Sequence, residues 1–366
     1  MKRFAEIPYT GYVCLGIVSL LSYNALLECL GIYTRSFGDR FPAHSHVVYG
    51  MAATAGQMIS VSVRRYITPL VRIHISLVLL CVVSLALAII PLCAIDNRQI
   101  LGLCFASALG FLISVLQSAT CALASASNPA ELLNAFYRGQ SLSGLLAWPL
   151  TTTIFSVAKI LYISRHEELI ATSSMAAAGF VTLALFIFLH VITSDSHRDP
   201  PKTNPPTPLT TAFISEWPVI VLCWFTFVVS FTVYPRDLFK WYPLHAIDTN
   251  LYRSTLVYLA IVSDVVGMFS ASYIQMATST TRFLGYARLI FIPIFFILSS
   301  SIFPTSEYVH ILAIVSMSFS GGLILSKTMS QINSADDEAV GYLVSIALTL
   351  GIMIGSTIGS LIDFFL

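Results

Sequence analysis

Apolar residues run along this chain in blocks of twenty or more, separated by short polar breaks. A helix crossing a hydrocarbon core needs about 20 apolar residues. By that measure the blocks predict eleven spanning helices, at roughly 8–32, 46–63, 70–93, 99–126, 135–162, 170–192, 217–235, 251–276, 284–303, 308–329 and 338–364. One long polar stretch interrupts them, Thr193 to Glu216. It carries Pro200, Pro201, Pro205, Pro206 and Pro208, which predicts an extended, mobile linker. The expected fold is therefore an all-α integral membrane protein in a 6+5 arrangement. Six helices lie in 1–192, the Pro-rich linker in 193–216 and five helices in 217–366.

Composition agrees with that class. Of 366 residues, 56% are hydrophobic and 10% charged, and the mean hydropathy is +0.82, whereas a soluble domain carries about 25% charged residues. The net charge is +1 with no polybasic tract, so nucleic acid is not an expected partner and the lipid bilayer is. The seven Cys lie in or at the ends of apolar blocks without a Cys-X-X-Cys pair, and read as small core residues. Lys2 and Arg3 precede an apolar run that passes twenty residues without a clear small-residue cleavage site, so the run reads as a first span. The Lys/Arg bias of short loops sets orientation. With the N-terminus inside, the cytoplasmic side holds Lys2, Arg3, Arg64, Arg65, Arg72, Arg138, Arg198, Lys202, Arg282, Arg288 and Lys327, 11 of the 19 basic residues. The linker is then cytoplasmic and the C-terminus extracellular, with the plasma membrane the expected location.

Polar residues inside the blocks mark candidate chemistry. Asp264 lies near the middle of the eighth block. A carboxylate at bilayer depth is unfavourable by a few kcal/mol or more and usually faces a bundle interior or a water-filled path. Either it serves a site or it pins a neighbouring helix. In the first block Asn24 and Glu28 are four apart and share a helix face. A mid-span amide needs a partner in protein or water, while Glu28 is close enough to the helix end to snorkel outward. Gln117 in the fourth block and Gln140 at the start of the fifth are each suited to interhelical hydrogen bonds. Gln117 lies deeper and equally suits the edge of a purine or pyrimidine. Gly351, Gly355 and Gly359 make a small-residue face for close helix packing, and Gly321-Gly322 marks a bend or another close contact. His44 and His46 form a His-X-His pair placed in the first outer loop, too few ligands for a metal site. No Gly-X-Ser-X-Gly elbow, Walker loop or His-Glu-X-X-His occurs, so neither an enzyme activity nor a cofactor is expected.

In order along the chain, several marks resemble the equilibrative nucleoside transporter family. Leu15-Gly16 with Leu20-Leu-Ser-Tyr23-Asn24 is similar to the family's first-span Leu-Gly and Leu-Leu-Pro-Trp-Asn. Val115-Leu-Gln117 and Gly139-Gln-Ser-Leu-Ser-Gly144 resemble its marks in spans four and five. Ala287-Arg288-Leu-Ile-Phe-Ile-Pro293 resembles the start of span nine, and Glu338-Ala-Val-Gly341 with Thr349-Leu-Gly351-Ile-Met-Ile-Gly355 resembles span eleven. The resemblance implies a major-facilitator-like pair of bundles and alternating access around a central cavity. It also implies a small-molecule substrate, a nucleoside or nucleobase, of the kind used in purine salvage. Carried over by motif, Leu20, Tyr23, Asn24 and Leu27 line the cavity, Gln117 meets the base, Asp264 lies near the ribose and Ile352 forms an apolar wall. Two departures fall on that site. Tyr23 stands for the family Trp, and Asp264-Val-Val-Gly267-Met268 replaces Asp-X-X-Gly-Arg, so the arginine expected beside the aspartate is absent from its usual place.

Two other uses compete with that reading. Glu28 and Asp264 would attract an organic cation such as a monoamine, and a receptor or scaffold would need the fold without transport.

Overall fold

A computed structural model of the chain describes residues 7–29, 33, 37, 41–90, 98–160, 166–194, 208–234, 241, 249–300, 306–332 and 338–365. All described secondary structure is helical. The α-helices are α1 (Tyr9–Glu28), α2 (Phe41–Ser62), α3 (Pro69–Ile89), α4 (Arg98–Ser125), α5 (Pro129–Ile160), α6 (His166–Ser194), α7 (Leu209–Val233), α8 (Thr249–Ser270), α9 (Thr278–Ala287), α10 (Phe291–Ser299), α11 (Glu307–Met329) and α12 (Glu338–Phe365). A 3₁₀ turn, Arg288–Ile290, joins α9 to α10.

Among the described residues eight helical stretches are long and apolar enough to cross a membrane: in α1, α3, α4, α6, α7, Thr278–Ser299, α11 and α12. Phe41–Ser62 and Pro129–Ile160 are not among them, and the described apolar part of α8 is Thr255–Ser270. Those three helices carry His46, Gln57, Gln140, Ser143 and Asp264. A helix face turned to protein tolerates such groups where one facing lipid does not.

Local chemistry explains several boundaries. Pro69 opens α3 and Pro129 opens α5, where the missing N–H of proline would have had no intrahelical partner anyway. The block expected at 217 starts earlier, because α7 begins at Leu209 and carries Pro218 inside the helix. Residues 195–207, most of the Pro-rich linker, lie outside the described residues. The ninth block is two helices. Pro293 has no N–H to offer the carbonyl of Leu289, four residues back, and its ring crowds that carbonyl; the backbone tightens to 3₁₀ at Arg288–Ile290.

The chain divides into two compact units. The first comprises residues 1–212 with 335–345, and the second 213–334 with 346–366, so the last helix is shared between them. In the first unit α1 crosses α5 in backbone contact. A Cβ on Gly16 would lie 2.0 Å from the Phe136 carbonyl oxygen, and one on Gly139 would lie 2.0 Å from that of Val13. Only glycine fits at either position. In the second unit α8 and α11 meet the same way, with Gly267 against the Phe319 carbonyl at 2.2 Å and Gly322 against the Asp264 carbonyl at 2.1 Å. The small-residue face of α12 packs on α7, where Gly351 approaches the Trp224 carbonyl and Gly355 that of Val228. The core of the second unit gathers Trp241, Leu256, Phe295, Ile314 and Met317. Trp241 stacks on His310 at 4.3 Å and donates its indole N–H to Ser299 Oγ at 3.0 Å.

Candidate functional site

In the first unit the site grows from the α1–α5 crossing. Because Gly16 and Gly139 bring the two backbones together, short side chains one turn along can bridge them. Gln140 Nε2 donates to Ser19 Oγ at 3.1 Å and lies 3.4 Å from Gln117 Oε1 on α4. Ser19 Oγ in turn donates to the Gly16 carbonyl at 2.7 Å. One turn further, Asn24 Nδ2 donates to Ser143 Oγ at 2.7 Å, and that hydroxyl donates to the Gln140 carbonyl. This network ties three helices through neutral groups.

Burial sorts the faces of α1. Leu21, Ser22, Ala25 and Leu26 are buried, and Ser22 shares a hydrogen with Ser84 of α3 at 2.7 Å. Leu20, Tyr23, Asn24, Leu27 and Glu28 are half-buried. They recur at helical spacing and form one stripe. A stripe carrying a phenol, an amide and a carboxyl is not a lipid-facing surface, since each polar group would be left without a partner in hydrocarbon. Tyr23 stacks on Tyr49 of α2 with ring centroids 4.2 Å apart, and its hydroxyl lies 3.2 Å from His46 Nδ1. The amide of Asn24 uses only its Nδ2 among the described residues, and that of Gln117 only its Oε1. Each keeps one end for a further partner.

His44 and His46 are not in a loop. Both lie on α2, and His46 faces Tyr23 while His44 is exposed. Helix residues two apart point to different sides, so the pair does not converge. Among the described residues no three His, Cys, Asp or Glu side chains gather as a metal site would need.

In the second unit Asp264 is half-buried on α8 and lies against α11. A Cβ on Gly322 would come within 3.0 Å of its Oδ1. The neighbouring glycine, Gly321, seats a different ion. A Cβ there would lie 2.9 Å from an Nη2 atom of Arg288. Arg288 is 2% exposed. It donates from Nη1 to the Thr226 carbonyl at 3.0 Å, and from Nη2 to Ser230 Oγ at 2.8 Å and the Met317 carbonyl at 3.1 Å. The Asp264 carboxylate acts electrostatically on this guanidinium. Ile352 is half-buried on α12 beside Gly351. Met268, at the position of the absent arginine, is buried at 4% exposure.

Arg288, inside the block at 284–303, is the charge whose surroundings the sequence does not reveal. Counted with the loop charges, it is instead enclosed by α7 and α11. Arg72 is the second such case: it is 3% exposed and donates to the Ser60 carbonyl and hydroxyl and to the Tyr342 hydroxyl. Both had counted toward the cytoplasmic excess of positive charge, so that excess shrinks. The available signal was position. Arg288 is the lone charge between Leu284 and Ser306, just before Pro293.

With this geometry established, the comparisons with known proteins bear on it. No protein-family profile matches the chain. It is 22% identical over 159 residues to Nucleoside transporter 1 of Crithidia fasciculata, covering 40% of this chain and 30% of that protein. The match therefore spans under a third of the relative's length. The crystal structure of the major facilitator superfamily transporter FucP, in the outward conformation, superposes with a TM-score of 0.65 at 14% identity, over 99% of this chain and 92% of that one. A bacterial homologue of the human lysosomal transporter Spinster, inward-facing and unoccupied, superposes with a TM-score of 0.56 at 13% identity, over 98% and 84%. The chain has the fold of major facilitator transporters.

Proposed function

We propose that the chain carries nucleosides or nucleobases across a membrane by alternating access, as an equilibrative nucleoside transporter would. The observation that carries this reading is the pair of half-used amides, Asn24 and Gln117, held in a neutral network beside the stacked rings of Tyr23 and Tyr49. A nucleobase needs both features: amides for its hydrogen-bonding edge and an aromatic face for its ring. In this reading Leu20, Leu27 and Ile352 supply apolar walls and Asp264 meets ribose hydroxyls. The partial likeness to a protein named a nucleoside transporter supports the substrate class.

The same proposal includes eleven spans as six and five, with a cytoplasmic linker in 193–216 and an extracellular C-terminus, in the plasma membrane. Movement is by facilitated diffusion.

The test is uptake of radiolabelled adenosine, uridine and hypoxanthine into proteoliposomes holding the purified protein, with a monoamine as competitor. Saturable uptake of any of the three, blocked by the other two and not by the monoamine, is the expected result. Uptake of none of them, or of the monoamine alone, would remove the proposal.

A further inference from the structure

We propose that Arg288 is the counter-charge of Asp264, and that the pair makes the site select uncharged substrates over organic cations. The inference rests on the transport reading above and goes further, because it names what excludes the competing substrate class.

The geometry starts from Gly321-Gly322 on α11. These two consecutive residues each seat one ion: Gly321 the guanidinium of Arg288 and Gly322 the carboxylate of Asp264. Consecutive Cα atoms are about 3.8 Å apart and their side-chain directions differ by about 100° around a helix, so the two ions lie against the same turn on adjoining faces. They come from different elements, Asp264 from α8 and Arg288 from the 3₁₀ turn before α10. A side chain at either glycine would push its ion away. Opposite charges set against one helix turn attract each other more in a partly buried place than in water, and a full carboxylate in a membrane helix needs such a partner.

Met268 therefore does not leave Asp264 without a positive neighbour. The charge absent from the next turn of α8 is supplied across the helix interface. Arg288 is fixed more firmly than an arginine on α8 facing a water-filled path would be, since three hydrogen bonds tie it to α7 and α11. Among the described residues its Nε has no hydrogen-bond partner. With both ions present the local charge sums to zero. A cation approaching Asp264 meets Arg288 behind it and gains little, while a neutral hydroxyl can still donate to the carboxylate. Arg288 acts here as a positioning residue, through Asp264.

The experiment compares the native protein with Arg288→Gln, Arg288→Gln/Asp264→Asn, Arg288→Gln/Met268→Arg and Asp264→Asn in proteoliposomes at matched amounts of monodisperse protein. The probes are uridine, the permanently charged tetraethylammonium and the anion uridine monophosphate. Arg288→Gln keeps a side-chain amide to donate to the Thr226 or Met317 carbonyl and removes the charge. It should raise tetraethylammonium uptake by about tenfold or more. Adding Asp264→Asn should abolish that gain. Adding Met268→Arg, which places a guanidinium one turn from Asp264 on the same face, should reverse it.

Asp264→Asn alone leaves Arg288 and its hydrogen bonds in place, so it guards against a misfolded arginine variant. It should make uridine monophosphate a better inhibitor of uridine uptake by about tenfold. Thermal shifts of the detergent-purified proteins with the same three probes report binding without transport. A native protein that carries no uridine while its variants show the charge-dependent shifts would overturn the nucleoside reading and uphold the counter-charge. Cation uptake by Arg288→Gln that persists without Asp264, or unchanged selectivity in both a folded Arg288→Gln and Asp264→Asn, would overturn the counter-charge.

Discussion

The α1–α5 crossing of the first unit and the α8–α11 crossing of the second are built alike and equipped differently. In each, a glycine lies three residues after the carbonyl that the partner's glycine touches: Val13 and Gly16 against Phe136 and Gly139, then Asp264 and Gly267 against Phe319 and Gly322. The close approach is the shared device. In the first unit it allows serine and glutamine side chains to meet, and the network is uncharged. In the second it seats a carboxylate and a guanidinium on adjacent residues. A neutral network tolerates loss of one member at modest cost, because each interhelical hydrogen bond contributes about 0.6–2 kcal/mol. Removing Asp264 leaves the buried Arg288 guanidinium without its counter-charge, for which about 3–5 kcal/mol is the upper scale set by fully buried pairs. The same packing thus supports one site robust to change and one that is not.

The largest effects are expected where the two crossings are the same. Gly139→Val and Gly322→Val each put a side chain into a backbone carbonyl, at 2.0 and 2.1 Å. Over-packing of about 3 kcal/mol or more should leave little monodisperse protein by fluorescence-detected size exclusion. Gly50→Ala, with nothing within 4 Å of its new Cβ, should be neutral or stabilise α2 by up to about 1 kcal/mol. A tolerated Gly322→Val beside a lethal Gly139→Val would break the likeness.

The next effect separates the units. Arg288→Met should lower the melting temperature in detergent far more than Gln140→Leu, since about 3–5 kcal/mol is at stake in the ion pair against about 1 kcal/mol in the amide network. Equal losses would remove the distinction between a charged and an uncharged crossing. Smaller again, and functional rather than structural, are Asn24→Ala and Gln117→Ala. Each should weaken nucleoside uptake by an amount corresponding to about 1–3 kcal/mol, with surface expression close to native. Parallel loss of expression and uptake would reduce both amides to helix fasteners. The smallest effect belongs to Ser84→Ala, which deletes the Ser22–Ser84 bond on the buried face of α1. It should shift the melting temperature only slightly, by about 0.6 kcal/mol, and leave the Michaelis constant for uptake unchanged.

Parts of the candidate site are legible in one dimension. Leu20, Tyr23, Asn24 and Leu27 follow helical spacing, so their common stripe on α1 required only the period of the helix. Asp264 stood out because carboxylates are rare at that depth. Other parts were misread for a physical reason. Arg288 looks like a loop charge until Pro293 is seen to break the helix and the α7 carbonyl and hydroxyl acceptors are seen to surround the guanidinium. His44 and His46 look like a loop pair until α2 is found to start at Phe41. Gln140, by contrast, makes the interhelical hydrogen bonds its residue type suggested, and holds Gln117 through them.

The sequence by itself determined that the chain is helical and membrane-embedded, and which residues carry polarity into it. Hydrophobic block length and the rarity of charge are local properties, readable without knowing any contact. Only the tertiary structure decided which polar groups satisfy each other. Partner choice depends on which backbones can approach, and that rests on glycines whose consequence appears only when two helices cross. Gly321-Gly322 is a plain dipeptide in the chain. In the fold it brings Asp264 and Arg288, 24 residues apart by their numbering, onto one turn of a third helix.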